Sequence, residues 1–397
     1  MRPVVGGYVP PDRVVGRDDD IRRIWNALEN QSVVLVSERR IGKTSVIRKM
    51  GKEPIDGWYP VYLVIEGVRS PSEFISKIVE AVSPILSKKG RALTKFRQMC
   101  VELGGGSIGS WTLPQFKENW KRLLQTTLND IRDNFDETVL FLWDELPLMI
   151  SNIKDDLGVK TAMELLDILR DHRIADDSGK LRMIYTGSVG LHLVISELYH
   201  AGYRNDPTND MATFALEGLG PRYAGELACQ GLQELMDDGE IELRDSLDGV
   251  GRTIAAATDG LPFYINYAVE TLSEFRQPIG CEDAVSAIDG LLLDPEDKAH
   301  FGHYAERIQA YYPSRFQQRD IAFEILKSLC RSDESLGEDD ILNHVAAQMV
   351  VTDRNLFQRV LGLLVKDHYL RRDHDEKNRL YQFKYDIIRR WWLKNRG

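Results

Sequence analysis

The sequence predicts an α/β fold with a parallel sheet, followed by a helical domain and a small domain of three helices and a β-hairpin. Short apolar runs rich in β-branched and aromatic residues predict four strands, at 33–36, 59–65, 138–143 and 181–186. Helical patterns separate these runs, notably at 71–86, 114–134 and 162–173. Strands that alternate with helices form a parallel sheet with helices on both faces.

A chain of 397 residues is too long for one ordinary core, so we expect several domains. The α/β core is assigned to residues 1–220, with a helical insertion at about 71–135. A helical lid domain is assigned to residues 221–314. Residues 315–397 contain three helical patterns followed by two short strands, which is the order of a winged helix-turn-helix domain.

Composition argues against several classes of protein. A hydrophobic fraction of 43% and a charged fraction of 28% are typical of globular chains, and no apolar run reaches the ~18–20 residues that cross a bilayer. The N-terminus lacks the apolar segment of a signal peptide, so we expect a cytoplasmic protein with no membrane partner. The four cysteines lie far apart and form no Cys-x-x-Cys pair, which argues against a zinc site or a disulfide framework.

Charge is distributed unevenly along the chain. The net charge of −10 argues against a generic nucleic-acid-coating protein. Residues 371–397, however, contain 9 basic and 4 acidic side chains. The acidic body therefore ends in a mildly basic segment.

A phosphate site is predicted at residues 37–45, Ser-Glu-Arg-Arg-Ile-Gly-Lys-Thr-Ser, between the first strand and the next helix. Backbone N–H groups of such a loop and the N-terminus of its helix attract phosphate oxygens. Lys43 would reach the β- and γ-phosphates of ATP, and the Thr44 hydroxyl would bind Mg²⁺. The usual first residue of the loop is Gly, and Ser37 in its place leaves the affinity open. The predicted nucleotide-binding residues of the loop are Ser37, Arg39, Arg40, Ile41, Gly42, Lys43, Thr44 and Ser45.

Two acids follow the third predicted strand. Asp144 would hold Mg²⁺ through water, and Glu145 would be the general base that acts on the attacking water. The alternative is a buried strand followed by a helix-capping Asp-Glu pair, and the phosphate loop upstream favours the catalytic interpretation. The fourth strand ends at Thr186-Gly187-Ser188, where Ser188 either senses the γ-phosphate or caps a tight turn.

Taken in order, these segments resemble the AAA+/STAND P-loop ATPases of prokaryotes, especially the archaeal type, which are related to origin-recognition ATPases and NOD-like switches. Residues 37–45 correspond to the Walker A motif, and Asp144-Glu145 ends the Walker B motif. Val14-Val15-Gly16-Arg17 resembles the family signature ahead of the loop, which implies that Val15, Gly16 and Arg17 lie against the adenine.

Two further residues are assigned by the same resemblance. Gly260-Leu261-Pro262 is similar to the Gly-x-Pro motif of the helical domain, which implies that Pro262 packs near the nucleotide. A plain helix junction would have the same sequence. Arg204 lies where relatives carry an arginine finger, and a solvated surface arginine is the alternative.

The resemblance implies an ATPase that hydrolyses ATP to ADP and phosphate, slowly or when stimulated by a partner, and that acts as a switch on a protein partner or assembly. A homo-oligomer in the ATP state is left open. The second hypothesis is a DNA-binding ATPase of initiator or loader type that uses residues 352–397. The third is a winged-helix regulator with an inactive loop, against which the set Lys43, Thr44, Asp144 and Glu145 argues.

Overall fold

The computed structural model describes residues 6–88, 94–102, 119–176, 178–312, 317–349, 353–374 and 379–397. The chain divides into two compact units, an N-terminal unit of residues 9–216 and a C-terminal unit of residues 217–397 together with the segment up to Tyr8. Among the described helices, none has the length and apolar character needed to cross a membrane.

The sheet of the N-terminal unit contains five parallel strands, β1 (Val33–Val36), β2 (Trp58–Val64), β3 (Thr138–Asp144), β4 (Leu181–Thr186) and β5 (Ala212–Ala215). Their order across the sheet is β2-β3-β4-β1-β5. The four predicted strands and the parallel sheet are therefore confirmed. The sequence analysis missed β5, because Ala-Thr-Phe-Ala is short and alanine is depleted in strands.

After a short 3-10 helix at Pro11–Arg13, the described residues of the N-terminal unit form eight α-helices: α1 (Asp18–Leu28), α2 (Lys43–Lys52), α3 (Pro71–Lys88), α4 (Thr94–Glu102), α5 (Trp120–Asn134), α6 (Leu146–Leu157), α7 (Val159–Ile174) and α8 (Leu191–His200). The helix predicted at 114–134 begins at Trp120, and residues 114–118 lie outside the described part of the chain. Strand β3 is buried from Val139 to Asp144, as expected for a sheet covered on both faces. Its Trp143 stacks on Tyr185 of β4, with ring centroids 5.6 Å apart.

The C-terminal unit begins with five helices, α9 (Pro221–Asp237), α10 (Leu247–Ala257), α11 (Pro262–Leu272), α12 (Cys281–Leu293) and α13 (His303–Tyr311). Its later elements are α14 (Gln318–Cys330), β6 (Leu336–Gly337), α15 (Glu338–Gln348), α16 (Arg354–Lys366), β7 (Leu370–His374), β8 (Arg379–Phe383) and α17 (Asp386–Arg396). The strands form an antiparallel sheet in the order β6-β8-β7. The three predicted helices and the hairpin are thus present, and the hairpin tip at 375–378 lies outside the described residues.

Side chains from the early and late helices of the C-terminal unit pack together. Tyr264 of α11 stacks on Phe301, with ring centroids 4.4 Å apart, and Phe301 lies 6.3 Å from Trp391 of α17. The two predicted C-terminal domains therefore share a core. Their boundary at 314 and the boundary at 220 stay predictions, because residues 313–316 are not described and the contact-defined units meet at 216.

A buried ion pair lies within this shared core. Arg307 of α13 donates to Oδ1 of Asp367 at 2.9 Å and to its carbonyl oxygen at 3.1 Å. The Tyr312 hydroxyl donates to Oδ2 at 2.8 Å. The side chain of Arg307 is 7% exposed and that of Asp367 is 0% exposed, so water is excluded from the pair.

A half-buried carboxylate joins α10 to α17. Asp259 lies in the turn after α10, and its Oδ2 accepts a 2.7 Å hydrogen bond from the backbone N–H of Ile387 in the first turn of α17. Burial raises the pKa of Asp259 to about 6, the charge of Asp386 adds to the rise, and the Ile387 bond and Arg390 oppose it. The ionised form of Asp259 is therefore disfavoured in the folded protein.

We expect Asp367→Ala to lower the free energy of unfolding by about 3–5 kcal/mol, because the substitution leaves a buried guanidinium without its carboxylate. Urea unfolding followed by tryptophan fluorescence measures the change. As a control, Glu226→Ala removes an exposed ion pair with Arg222 and should cost less than about 1 kcal/mol. A similar small loss for Asp367→Ala would contradict the expected role of the buried pair.

Asp259→Asn should stabilise the protein above pH 6 and have little effect near pH 4. In the folded state the pKa is about 6, whereas the ordinary value is 3.8. Raising the pH through this window ionises the half-buried Asp259 and costs the wild type about 3 kcal/mol that the amide variant does not lose. Asn also tolerates the left-handed backbone at this position, where φ is 50°. Urea unfolding at several pH values measures the effect: the difference in unfolding free energy between variant and wild type should increase from pH 4 to above pH 6. A difference that does not change with pH would contradict the raised pKa of Asp259.

Candidate functional site

The predicted phosphate loop connects β1 to α2, with the loop at the carboxyl end of the strand. Gly42 caps the helix with φ at 100°, a left-handed conformation in which glycine is strongly favoured. Arg40 is also left-handed, with φ at 68°. Ile41 is fully buried, Arg39 is exposed, and Ser45 lies half-buried in the first turn of α2. The backbone of the loop thus turns sharply in front of a helix N-terminus, where anions are stabilised.

Lys43 is the first residue of α2, and its side chain folds back over the loop. Its Nζ donates to the carbonyl oxygens of Ser37 at 2.8 Å and Glu38 at 2.9 Å. The ammonium group is largely buried. A cation is therefore fixed at the helix N-terminus, and it adds to the positive end of the helix dipole.

Thr44 and Asp144 are 100 residues apart in the sequence and meet in the fold. The Thr44 hydroxyl donates to Oδ2 of Asp144 at 2.9 Å. With its proton directed at Asp144, the Thr44 oxygen keeps lone pairs for a cation. A hydroxyl and a carboxylate are oxygen ligands of the kind that Mg²⁺ prefers when phosphates supply others. The donor set therefore fits Mg²⁺, and no cluster of three or more His, Cys, Asp or Glu suited to a metal occurs in the described part of the chain.

Tyr62 and Arg48 join this site, and the sequence analysis did not find them. The Tyr62 hydroxyl of β2 donates to Oδ2 of Asp144 at 3.0 Å, and Arg48 Nε donates to the Tyr62 oxygen at 3.2 Å. Burial and the charge of Asp144 raise the pKa of Tyr62 to about 12, so the phenol stays protonated. The Tyr62 hydroxyl in an otherwise apolar strand could have indicated a polar contact. The sequence does not show, however, that β2 pairs with β3, where Asp144 lies.

Glu145 turns away from Asp144 because its backbone is left-handed, with φ at 66°. Its carboxylate accepts hydrogen bonds from the backbone N–H of Ser188 at 2.9 and 3.0 Å and from the Ser188 hydroxyl at 2.9 Å. Burial raises the pKa of Glu145, and the two kinds of hydrogen bond from Ser188 oppose the rise. The structure therefore brings Ser188, which follows β4, directly to the predicted general base.

Arg17, which precedes α1, is hydrogen-bonded to the phosphate loop. Its Nη2 donates to the Ile41 carbonyl at 2.8 Å, and its Nη1 pairs with Asp20 at 3.0 Å. The side chain is buried. Val15 and Gly16 lie half-buried just before it, and the predicted adenine contact of these three residues stays a prediction.

Ser37 has a contact that glycine could not make. Its hydroxyl accepts a 2.8 Å hydrogen bond from the backbone N–H of Leu216, the last residue of the N-terminal unit. The hydroxyl is also directed at the carbonyl oxygen of Val36. The first residue of the phosphate loop is therefore bonded to the segment that leaves β5.

The two remaining predicted residues lie elsewhere. Arg204 follows α8 and packs over the ring of Tyr199, with its guanidinium carbon 5.3 Å from the ring centroid and its Nη1 3.2 Å from the hydroxyl. Arg204 is exposed. Pro262 is the first residue of α11 in the C-terminal unit. The roles of both residues stay predictions.

Comparison with known proteins identifies solved structures that have a similar fold. No family model matches the chain. A Walker-type ATPase of Pyrococcus abyssi has a similar structure, with a TM-score of 0.63 over 96% of this chain and 97% of that chain at 15% identity. The ORC2 protein of Aeropyrum pernix, in ADPNP-ADP complexes, gives a TM-score of 0.52 over 96% and 92% of the two chains at 13% identity. The chain thus has the fold of AAA+ P-loop ATPases related to origin-recognition proteins.

Proposed function

We propose that the chain binds ATP with Mg²⁺ and hydrolyses it. The observation that carries this proposal is the meeting of Thr44 with Asp144 and of Glu145 with Ser188, next to the buried ammonium group of Lys43. These groups come from the ends of two strands, β3 and β4, and from the N-terminus of α2. They are the cation, the hydroxyl, the metal-binding carboxylate and the base that phosphoryl transfer to water needs.

Each residue has a defined role in this mechanism. Lys43 leaves the loop carbonyls to neutralise charge on the β- and γ-phosphates. Thr44 and Asp144 would hold Mg²⁺, which when bound offsets the charge of the phosphates. Glu145 accepts the proton of the water that attacks the γ-phosphorus, as the new P–O bond forms and the bond to the β-phosphate oxygen breaks. Hydrogen bonds from Ser188 hold the Glu145 carboxylate in one orientation until it accepts that proton.

Glu145→Gln should retain ATP binding and reduce phosphate release by about 10²–10⁴-fold, because the amide cannot accept the proton. Lys43→Ala should weaken nucleotide binding as well, because it removes the buried cation. Phosphate release and equilibrium binding of a fluorescent ATP analogue measure the two effects. Glu66→Gln, at an exposed glutamate beyond β2, is the matched control and should behave like the wild type. Equal rates in all of these proteins would exclude ATP hydrolysis at this site.

We further propose that the ATPase is a switch of the STAND type, with the C-terminal unit as its output. Support comes from the segment at 216–219. On the core side, Leu216 is bonded to Ser37. Within the C-terminal unit, the Leu219 N–H donates to the Gly260 carbonyl at 2.8 Å, and Glu217 pairs with Lys384 at 2.9 Å.

The contact at Gly260 explains one of the sequence signatures. Gly260 has φ at +66°, and a Cβ there would lie 2.2 Å from the Leu219 carbonyl oxygen. Glycine is required for this close approach. The Gly260-Leu261-Pro262 motif is therefore bonded to the segment that enters the C-terminal unit. A change in the phosphate loop would reach this segment through Ser37, and ATP and ADP would drive it only by differential contacts with the loop.

The winged-helix region favours a protein partner over DNA. The DNA hypothesis uses residues 352–397, and most of the described basic residues in that range already pair with acids: Arg354 with Asp339, Arg359 with Asp353, Arg371 with Asp373, Arg379 with Glu338, Arg389 with Asp386, and Arg390 and Lys394 with Asp289. Paired charges leave little positive potential for phosphates. The proposed partner is therefore a protein or a further copy of the chain.

Ser37→Gly tests the switch. The substitution restores the usual loop residue, so nucleotide binding should persist, but the Leu216 N–H loses its 2.8 Å acceptor and keeps only the Val36 carbonyl at 3.3 Å. Hydrogen exchange of the Leu216 amide should quicken by about fivefold, the equivalent of a hydrogen bond of ~1 kcal/mol. The nucleotide-dependent change in exchange at residues 217–220 and 258–262 should disappear.

Ser32→Ala is the matched control for this substitution. It deletes another buried serine hydroxyl that accepts a backbone N–H, from Met183 at 3.0 Å, at the other end of β1. In the Ser32→Ala variant, amide hydrogen exchange at residues 217–220 should still change when nucleotide binds. If Ser37→Gly keeps the full nucleotide response, the path through Ser37 is wrong.

A further inference from the structure

The Tyr62 hydroxyl lies at the predicted metal-binding carboxylate although Tyr62 belongs to no nucleotide-binding motif. It reaches Asp144 from β2, the strand at one edge of the sheet, which pairs in parallel with β3. Its 3.0 Å hydrogen bond ends on Oδ2, the same oxygen that accepts from Thr44 at 2.9 Å. Within the described residues, both hydrogen bonds to this carboxylate fall on one oxygen, which leaves Oδ1 for other ligands.

Arg48 and Asp144 together determine the direction of the Tyr62 hydrogen bond, because a guanidinium group only donates and a carboxylate only accepts. Arg48 lies on α2, one turn after Thr44, and its Nε donates to the phenol oxygen at 3.2 Å. Its guanidinium carbon is 5.1 Å from the centroid of the Tyr62 ring. A guanidinium group is always a donor, so the phenol oxygen must accept from it and direct its own proton to Asp144. Helix α2 therefore contacts Asp144 twice, directly through Thr44 and indirectly through Arg48 and Tyr62.

We propose that Tyr62 is a positioning residue for the divalent cation, with Arg48 as its support. Two donors on Oδ2 restrain rotation of the Asp144 carboxylate and leave Oδ1 available to the cation. Groups that orient a metal ligand in this way commonly affect metal affinity by 10–100-fold, roughly as much as some ligands do. This inference rests on the proposed ATP and Mg²⁺ binding.

Tyr62→Phe tests the role, because phenylalanine keeps the ring and removes the hydroxyl. The probe is a fluorescent non-hydrolysable ATP analogue, bound at increasing Mg²⁺ concentrations. We expect the Mg²⁺ concentration for half-maximal binding to rise by about tenfold. Affinity for the analogue in EDTA should stay within about twofold of the wild type, because the loop and Lys43 are untouched. Arg48→Met should shift the Mg²⁺ midpoint in the same direction by a smaller factor.

Tyr59→Phe is the matched control. It removes a phenol hydroxyl from the same strand, where the Tyr59 ring lies 5.4 Å from Phe135, and should leave the Mg²⁺ midpoint unchanged. A purely structural role for Tyr62 predicts a lower melting temperature and equal losses of binding with and without Mg²⁺, and that result would overturn the inference. An unchanged Mg²⁺ midpoint in Tyr62→Phe would also overturn the inference.

The wild type separates failure of this inference from failure of the proposed function. If the wild type binds no nucleotide with or without Mg²⁺, both are wrong. If the wild type binds the analogue in an Mg²⁺-dependent way and Tyr62→Phe matches it, only the role of Tyr62 is wrong.

Discussion

The hydrogen bond from Thr44 to Asp144 is the contact on which the rest of the site depends. It fixes the first turn of α2 to the end of β3, two strands away from the loop in the sheet. The bond is available because all five strands are parallel and their carboxyl ends meet at one edge. The same edge receives Ser188 from β4 and Leu216 from β5, so each polar group arrives at the end of its own strand.

The two adjacent acids at this edge have different surroundings and therefore different chemistry. Asp144 accepts from two hydroxyl groups on one oxygen, which leaves its other oxygen for the proposed cation. Glu145 is turned to Ser188 by its left-handed backbone and is desolvated there, which suits a group that takes up a proton. Local backbone geometry thus supports the proposed division of metal binding and base catalysis between these neighbouring residues.

Ser37 connects this edge to the rest of the chain. A glycine at the start of the loop would supply flexibility alone, whereas the serine hydroxyl is bonded to Leu216, immediately before the segment that enters the C-terminal unit. In that unit the same segment contacts Gly260 and Lys384, and several basic residues of the late helices pair with nearby acids. These contacts support the proposed switch, in which the nucleotide state would be transmitted to the C-terminal unit.

The sequence by itself determined strands β1 to β4, the phosphate loop before α2 and the acids after β3, because each depends on a local pattern of apolar, glycine and charged residues. Strand β5 was not predicted, because the hydrophobic pattern of its four residues is too weak. The tertiary structure alone decided that Tyr62 reaches Asp144 across 82 residues and that Ser37 reaches Leu216 across 179. Those contacts follow from the strand order β2-β3-β4-β1-β5, and sequence periodicity carries no information about which strands become neighbours.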